Sequence, residues 1–84
     1  MKLIFAEHAW EDYLRWQETD KKLLARINAL IKETTQTPFQ GTGKPEALKH
    51  AIAGYWSRRM NDEHRMVYMV DGDSLLIAQL RYHY

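Results

Sequence analysis

Glu46, Arg65 and His83 are the residues of this 84-residue chain whose types, taken together, can break a phosphodiester bond. Cutting RNA without a metal needs a base for the 2′-hydroxyl proton, a cation beside the pentavalent phosphorane, and an acid for the departing 5′-oxygen. A glutamate ionises at about 4.3 and so accepts protons at neutral pH, whereas a histidine, at about 6.5, is the residue most readily available as a donor. Arginine contributes a planar fork that matches phosphate. Tyr84 adds a ring able to stack on a base and a hydroxyl able to reach a phosphate. Lys44, Lys49, Arg58 and Arg59 add further cations to the same half of the chain.

Each residue also has a plainer reading. Glu46 suits the positive end of a short helix, and Arg65 can pair with Glu63 or Asp62 at the surface. Arg58 and Arg59 alternate along a strand, so one of them is expected to face solvent. His83 and Tyr84 can equally be a frayed chain end, and strict strand alternation sends them to opposite faces unless the strand frays or twists. His8, His50 and His64 lack the spacing of metal ligands, so no metal or other cofactor is expected.

The elements that must position these groups follow from hydrophobic period and turn chemistry. Lys2 to Ala6 reads as a short strand, and Trp10, Tyr13, Leu14 and Gln17 recur at helical spacing, giving a first helix over Glu7 to Glu18. Thr19-Asp20 offers N-cap chemistry to a second helix, whose Leu23, Leu24, Ile27, Leu30 and Ile31 form one apolar stripe. Thr35 to Pro45 holds both prolines and reads as a loop. Pro45-Glu46 resembles the first turn of a short third helix to His50. Strands are expected at Tyr55 to Met60, Arg65 to Val70 and Leu75 to Tyr84, the last two joined by a turn at Asp71-Gly72-Asp73-Ser74 that pairs Val70 with Leu75. This order predicts an α+β fold, an antiparallel sheet with two helices packed on one face, within one domain spanning 1–84.

Composition narrows the class of function. No cysteine is present, so disulfide frameworks and thiolate metal sites are excluded and a reducing, cytoplasmic setting is permitted. The apolar run from Leu3 stops at Glu7, and no later run approaches the roughly 20 residues that span a bilayer, so a soluble protein without membrane association is expected. Net charge is only +1. Between Lys44 and Arg65, however, five cations (Lys44, Lys49, Arg58, Arg59, Arg65) outnumber Glu46, Asp62 and Glu63. That local excess suits a phosphate-bearing partner without requiring one.

Four ordered blocks carry a family resemblance. Gly43-Lys44-Pro45-Glu46-Ala47-Leu48-Lys49-His50, Tyr55-Trp56-Ser57-Arg58-Arg59, Asp62-Glu63-His64-Arg65-Met66-Val67-Tyr68 and Arg81-Tyr82-His83-Tyr84 closely resemble the YoeB toxins of the RelE/ParE superfamily. Lys2-Leu3-Ile4-Phe5 and Asp12-Tyr13-Leu14-Arg15-Trp16-Gln17 look like that family too, so the resemblance covers nearly the whole chain. It implies a RelE-like fold and a ribosome-dependent mRNA endonuclease that cuts the A-site codon. It further implies Glu46 as general base, Arg65 as the phosphate-binding residue, His83 as general acid and Tyr84 as the residue orienting substrate. Lys49, Arg58 and Arg59, with Lys44 beside them, resemble residues that assist RNA or ribosome binding. Implied partners are a YefM-like antitoxin, the ribosome with its mRNA, and a second copy in a homodimer, with promoter DNA reached only through the antitoxin complex. Ala47, Ala51 and Leu80 depart from the family's common residues, which bears on packing and antitoxin fit. A ParE-like gyrase inhibitor and a non-catalytic RNA-binding module remain as alternatives.

Overall fold

One residue, Asp20, closes one helix and opens the next. In this computed structural model, which describes residues 1–49 and 53–82, α1 runs over Glu7–Thr19 and α2 over Lys21–Gln36. The Asp20 N–H donates to the Trp16 carbonyl at 2.9 Å, while its Oδ1 accepts from the Leu23 N–H at 3.0 Å. Such a side-chain cap is worth about 1 kcal/mol. The hairpin is tight because no further residue separates the helices.

The expected stripe on α2 is buried at Leu23, Ile27, Leu30 and Ile31 and continues to Thr34, whose hydroxyl donates to the Leu30 carbonyl at 2.6 Å. On α1 the buried face is displaced from the large apolar residues. Ala9 and Asp12 are buried, with Tyr13 and Trp16 packed on the core, whereas Trp10 and Leu14 are 46% and 41% exposed. A small alanine and an aspartate fit the close approach of α1 to the sheet, and Asp12 Oδ2 accepts the Leu80 N–H at 3.4 Å. Burial of a carboxylate requires such partners.

The five strands β1 (Lys2–Phe5), β2 (Glu46–Ala47), β3 (Trp56–Arg59), β4 (Arg65–Asp71) and β5 (Ser74–Gln79) stand in the order β1-β5-β4-β3-β2. The α+β class is as expected, with one difference inside the sheet. β1 pairs with β5 in parallel, Lys2 opposite Ser74, so the sheet is mixed. After β1 the chain crosses a face as the helical hairpin, returns at the far edge, and meanders back antiparallel until β5 reaches β1 running the same way. The turn behaves as its sequence requires: Gly72 adopts φ +59° and Val70 faces Leu75. Met66, Tyr68, Leu75 and Ile77 meet α2 in the core.

Two expectations are corrected. The third helix is absent from 45–49: Glu46 and Ala47 form an edge strand opposite Ser57 and Trp56, because pairing with β3 satisfies backbone groups that one isolated turn would leave open. His50 lies outside the described residues. The last strand stops at Gln79 rather than reaching the chain end. A β-bulge at Val67/Tyr68 shifts the β4–β5 register, and Tyr82 adopts φ +59°, which no strand accommodates.

Candidate active site

β2 is only two residues long, yet its register puts Glu46 directly opposite Ser57. Ser57 in turn faces Val67 on β4, two residues from Arg65. By alternation Ser57, Arg59, Arg65 and Val67 share the face opposite the helices. There Arg65 Nη1 donates to Glu46 Oε1 at 3.1 Å and to Ser57 Oγ at 3.0 Å. The Arg65 side chain is 15% exposed and that of Glu46 54%. A guanidinium is thus fixed from below by a buried hydroxyl while its carboxylate partner remains open to solvent. Arg59 is exposed and sits across from Arg65 in the β3–β4 ladder. Like charges placed directly opposite repel, and the Glu46 carboxylate offsets part of that repulsion. The combination attracts an anion and offers a base beside it.

The loop that delivers Glu46 is organised by Arg58, which points the other way. Its side chain is fully buried. Nη1 donates to Glu33 Oε2 at 2.5 Å and to the Thr42 carbonyl at 3.2 Å, and Nη2 donates to the carbonyls of Thr37 and, at 2.8 Å, Gln40. Nε donates to the Tyr68 hydroxyl at 3.3 Å, which itself donates to the Pro38 carbonyl at 2.6 Å. The expectation that Arg58 contacts RNA or the ribosome is therefore corrected: its donors are committed inside the protein. Arg59 is the member of the pair that faces solvent. Lys44 and Lys49 are exposed on either side of β2.

Electrostatics follow from this cage. Two hydrogen bonds from Thr42, backbone first and hydroxyl second, and then the Arg58 guanidinium hold the Glu33 carboxyl below its ordinary value. Burial pushes the Tyr68 hydroxyl above its ordinary value, with Arg58 opposing the shift. Gly43 lets the loop approach β3. Its φ is +85°, a Cβ there would stand 2.9 Å from the Arg59 carbonyl oxygen, and its own carbonyl accepts the Arg59 N–H at 2.7 Å.

Behind Arg65 lies a second polar knot. His64 is buried, its ring 4.9 Å from that of Trp16 and 5.3 Å from that of Tyr82. His64 Nδ1 accepts the Tyr82 N–H at 2.7 Å, and the Arg65 N–H donates to the Tyr82 carbonyl at 3.1 Å. His83 and Tyr84, the expected acid and orienting residue, lie outside the described residues. Neither Ser57 nor the backbone-accepting role of His64 is marked by the sequence. The register of β2 against β3 is the signal that finds Ser57, and no local pattern marks His64. Among the described residues no cluster of three or more His, Cys, Asp or Glu side chains is arranged to hold a metal ion, and no helix is long and apolar enough to cross a membrane.

Two helices on a five-strand mixed sheet, with an arginine–glutamate pair on the open face, define a toxin fold of the YoeB/ParE kind. A YoeB/ParE toxin from Agrobacterium tumefaciens superposes with a TM-score of 0.97 at 50% identity, over 100% of both chains. The family model described as the YoeB-like toxin of bacterial type II toxin-antitoxin systems matches residues 5–84, and the chain belongs to that family. Toxin YoeB of Escherichia coli K12 is 63% identical over 100% of both chains. A Staphylococcus aureus YoeB, 45% identical, has been solved as a dimer, with a TM-score of 0.93, and in a heterotetrameric YoeB-YefM toxin-antitoxin complex, with a TM-score of 0.91. Each covers 100% of this chain and 98% of the other.

Proposed function

We propose that this toxin is a metal-independent endoribonuclease that cuts mRNA in the ribosomal A site and so stops translation. The observation that carries the reading is the Glu46–Arg65 contact on the open face, 3.1 Å, supported beneath by Ser57. A scissile phosphate bound at the edge of the Arg65 fork that no described residue engages brings the adjacent ribose within reach of Glu46. The Glu46 carboxylate takes the 2′-hydroxyl proton, and the 2′-oxygen attacks phosphorus. The P–O5′ bond breaks as His83 gives a proton to the leaving oxygen, leaving a 2′,3′-cyclic phosphate and a 5′-hydroxyl. Arg65 stabilises the charge that grows on the phosphorane. Tyr84 orients the substrate. The exposed cations Lys44, Lys49 and Arg59 hold the RNA or ribosome backbone.

For partners, we infer a YefM-like antitoxin that covers this face and a homodimer of the toxin. Support comes from the Staphylococcus aureus relative, solved in both kinds of assembly. Mapping mRNA 5′ ends on stalled, purified ribosomes, with a His83→Gln variant and a gyrase-supercoiling control, tests the activity. Codon-phased cuts that vanish with the variant are expected. Intact mRNA with inhibited gyrase would move the chain to the ParE-like activity.

A further inference from the structure

We propose that His64 is a positioning residue for this reaction, holding the backbone of Tyr82, the residue before His83 in the chain; the assignment rests on the cleavage chemistry above. Consecutive residues grip both backbone polar groups of one residue. His64 Nδ1 accepts the Tyr82 N–H at 2.7 Å, and the Arg65 N–H donates to the Tyr82 carbonyl at 3.1 Å. Arg65 is the residue assigned to phosphate, and Tyr82 directly precedes the residue assigned as acid. One dipeptide therefore couples the cation of the site to the start of its C-terminal arm.

The backbone of Tyr82 needs such a grip. Its φ of +59° is a left-handed conformation that a bulky side chain rarely adopts, and it persists where surrounding contacts over-determine it. His64 is itself immobilised. Its N–H donates to Asn61 Oδ1 at 2.7 Å, its carbonyl accepts the Met60 N–H at 2.9 Å, and its ring packs between Trp16 and Tyr82. With Nδ1 accepting, the neutral ring carries its proton on Nε2, which lies 3.7 Å from Glu63 Oε1. The imidazole thus acts as a rigid backbone acceptor set beside the site.

Asparagine and glutamine separate this role from simple space filling. An Asn Oδ1 can stand where Nδ1 stands, whereas the Gln terminal amide reaches the Nε2 position and leaves the Tyr82 N–H unpaired. Single-turnover cleavage on stalled ribosomes should show His64→Gln slowed about 10- to 100-fold in kcat with little change in KM, and His64→Asn restored most of the way. Tyr82→Pro deletes the same N–H, sets φ near −65° and removes one of the two rings packed on the imidazole, so it should be at least as slow as His64→Gln even if that variant folds poorly. With an active wild type, a His64→Gln rate equal to wild type, an Asn variant no better than Gln, or a fully active Tyr82→Pro would each overturn the role of His64 alone. A wild-type protein that leaves mRNA uncut would overturn the cleavage assignment, and the positioning role with it.

Discussion

Arg58 Nη1 meets Glu33 Oε2 at 2.5 Å, and this ion pair ties strand β3 to helix α2. The same guanidinium donates to the carbonyls of Thr37, Gln40 and Thr42, so one side chain shapes the segment that carries Glu46 to the sheet edge. Replacing it with alanine leaves several part-buried acceptors without a donor, at about 1–3 kcal/mol for each fully buried group. Arg58→Ala should therefore lose about 3 kcal/mol or more of stability. Arg58→Lys should recover only part, since an ammonium cannot reproduce the fork. Denaturant unfolding checks both; a lysine variant as stable as wild type would contradict the cage.

Gly43 provides a local test of how Glu46 is placed. Alanine there must hold φ near +85° and put its Cβ 2.9 Å from a backbone oxygen. Gly43→Ala should cost about 1–3 kcal/mol and lower cleavage by more than the unfolded fraction explains. Thermal melts beside cleavage rates at a temperature where the variant is folded measure both effects.

The pH dependence of stability should bear the mark of the same cage. The Glu33 carboxyl is depressed in the folded state, so its contribution is complete above its ordinary value of 4.5 and is lost as pH falls through the lower folded value. The Tyr68 hydroxyl is raised, so its contribution is complete below 10.0 and is lost as pH rises through the higher folded value. Melting temperature measured across pH should fall off at both extremes. Glu33→Gln should flatten the acid limb and Tyr68→Phe the alkaline one; unchanged limbs would refute the linkage.

Arg65 and Glu46 should separate binding from chemistry. Glu46→Gln keeps shape and a hydrogen-bonding oxygen but removes the base, so cleavage should drop about 10²- to 10⁴-fold while ribosome affinity changes little. Arg65→Lys keeps charge but loses the fork held by Ser57, so both rate and affinity should fall. Binding isotherms with catalytically silent mRNA, paired with single-turnover rates, distinguish the two patterns.

Much of the architecture could be read from residue order because periodicity and caps act locally. The Leu23–Ile31 stripe, the Asp20 cap and the Val70–Leu75 hairpin register depend on neighbours within a few residues. What escaped depends on distant partners. The parallel β1–β5 pairing joins opposite ends of the chain, and β2 takes strand form only because β3 is beside it. The face that α1 buries also depends on the sheet, since Ala9 and Asp12, small and polar, are buried while Trp10 is exposed. Glu46 and Arg65 could be named from residue type and family resemblance, and the structure brings them together. The opposite fates of Arg58 and Arg59 depend on which sheet face meets α2, something alternation alone leaves undecided.

The proposed reaction starts with Glu46 removing a 2′-hydroxyl proton from RNA held at Arg65. It is tested most directly by placing a single 2′-deoxynucleotide at the scissile position of an A-site codon on stalled ribosomes and following cleavage by the wild-type protein. The all-ribose codon should yield a 2′,3′-cyclic phosphate and a 5′-hydroxyl, and the substituted codon should stay intact although the toxin binds it equally well. Cleavage of the deoxy-substituted codon at the same rate, or products bearing a 5′-phosphate, would contradict it.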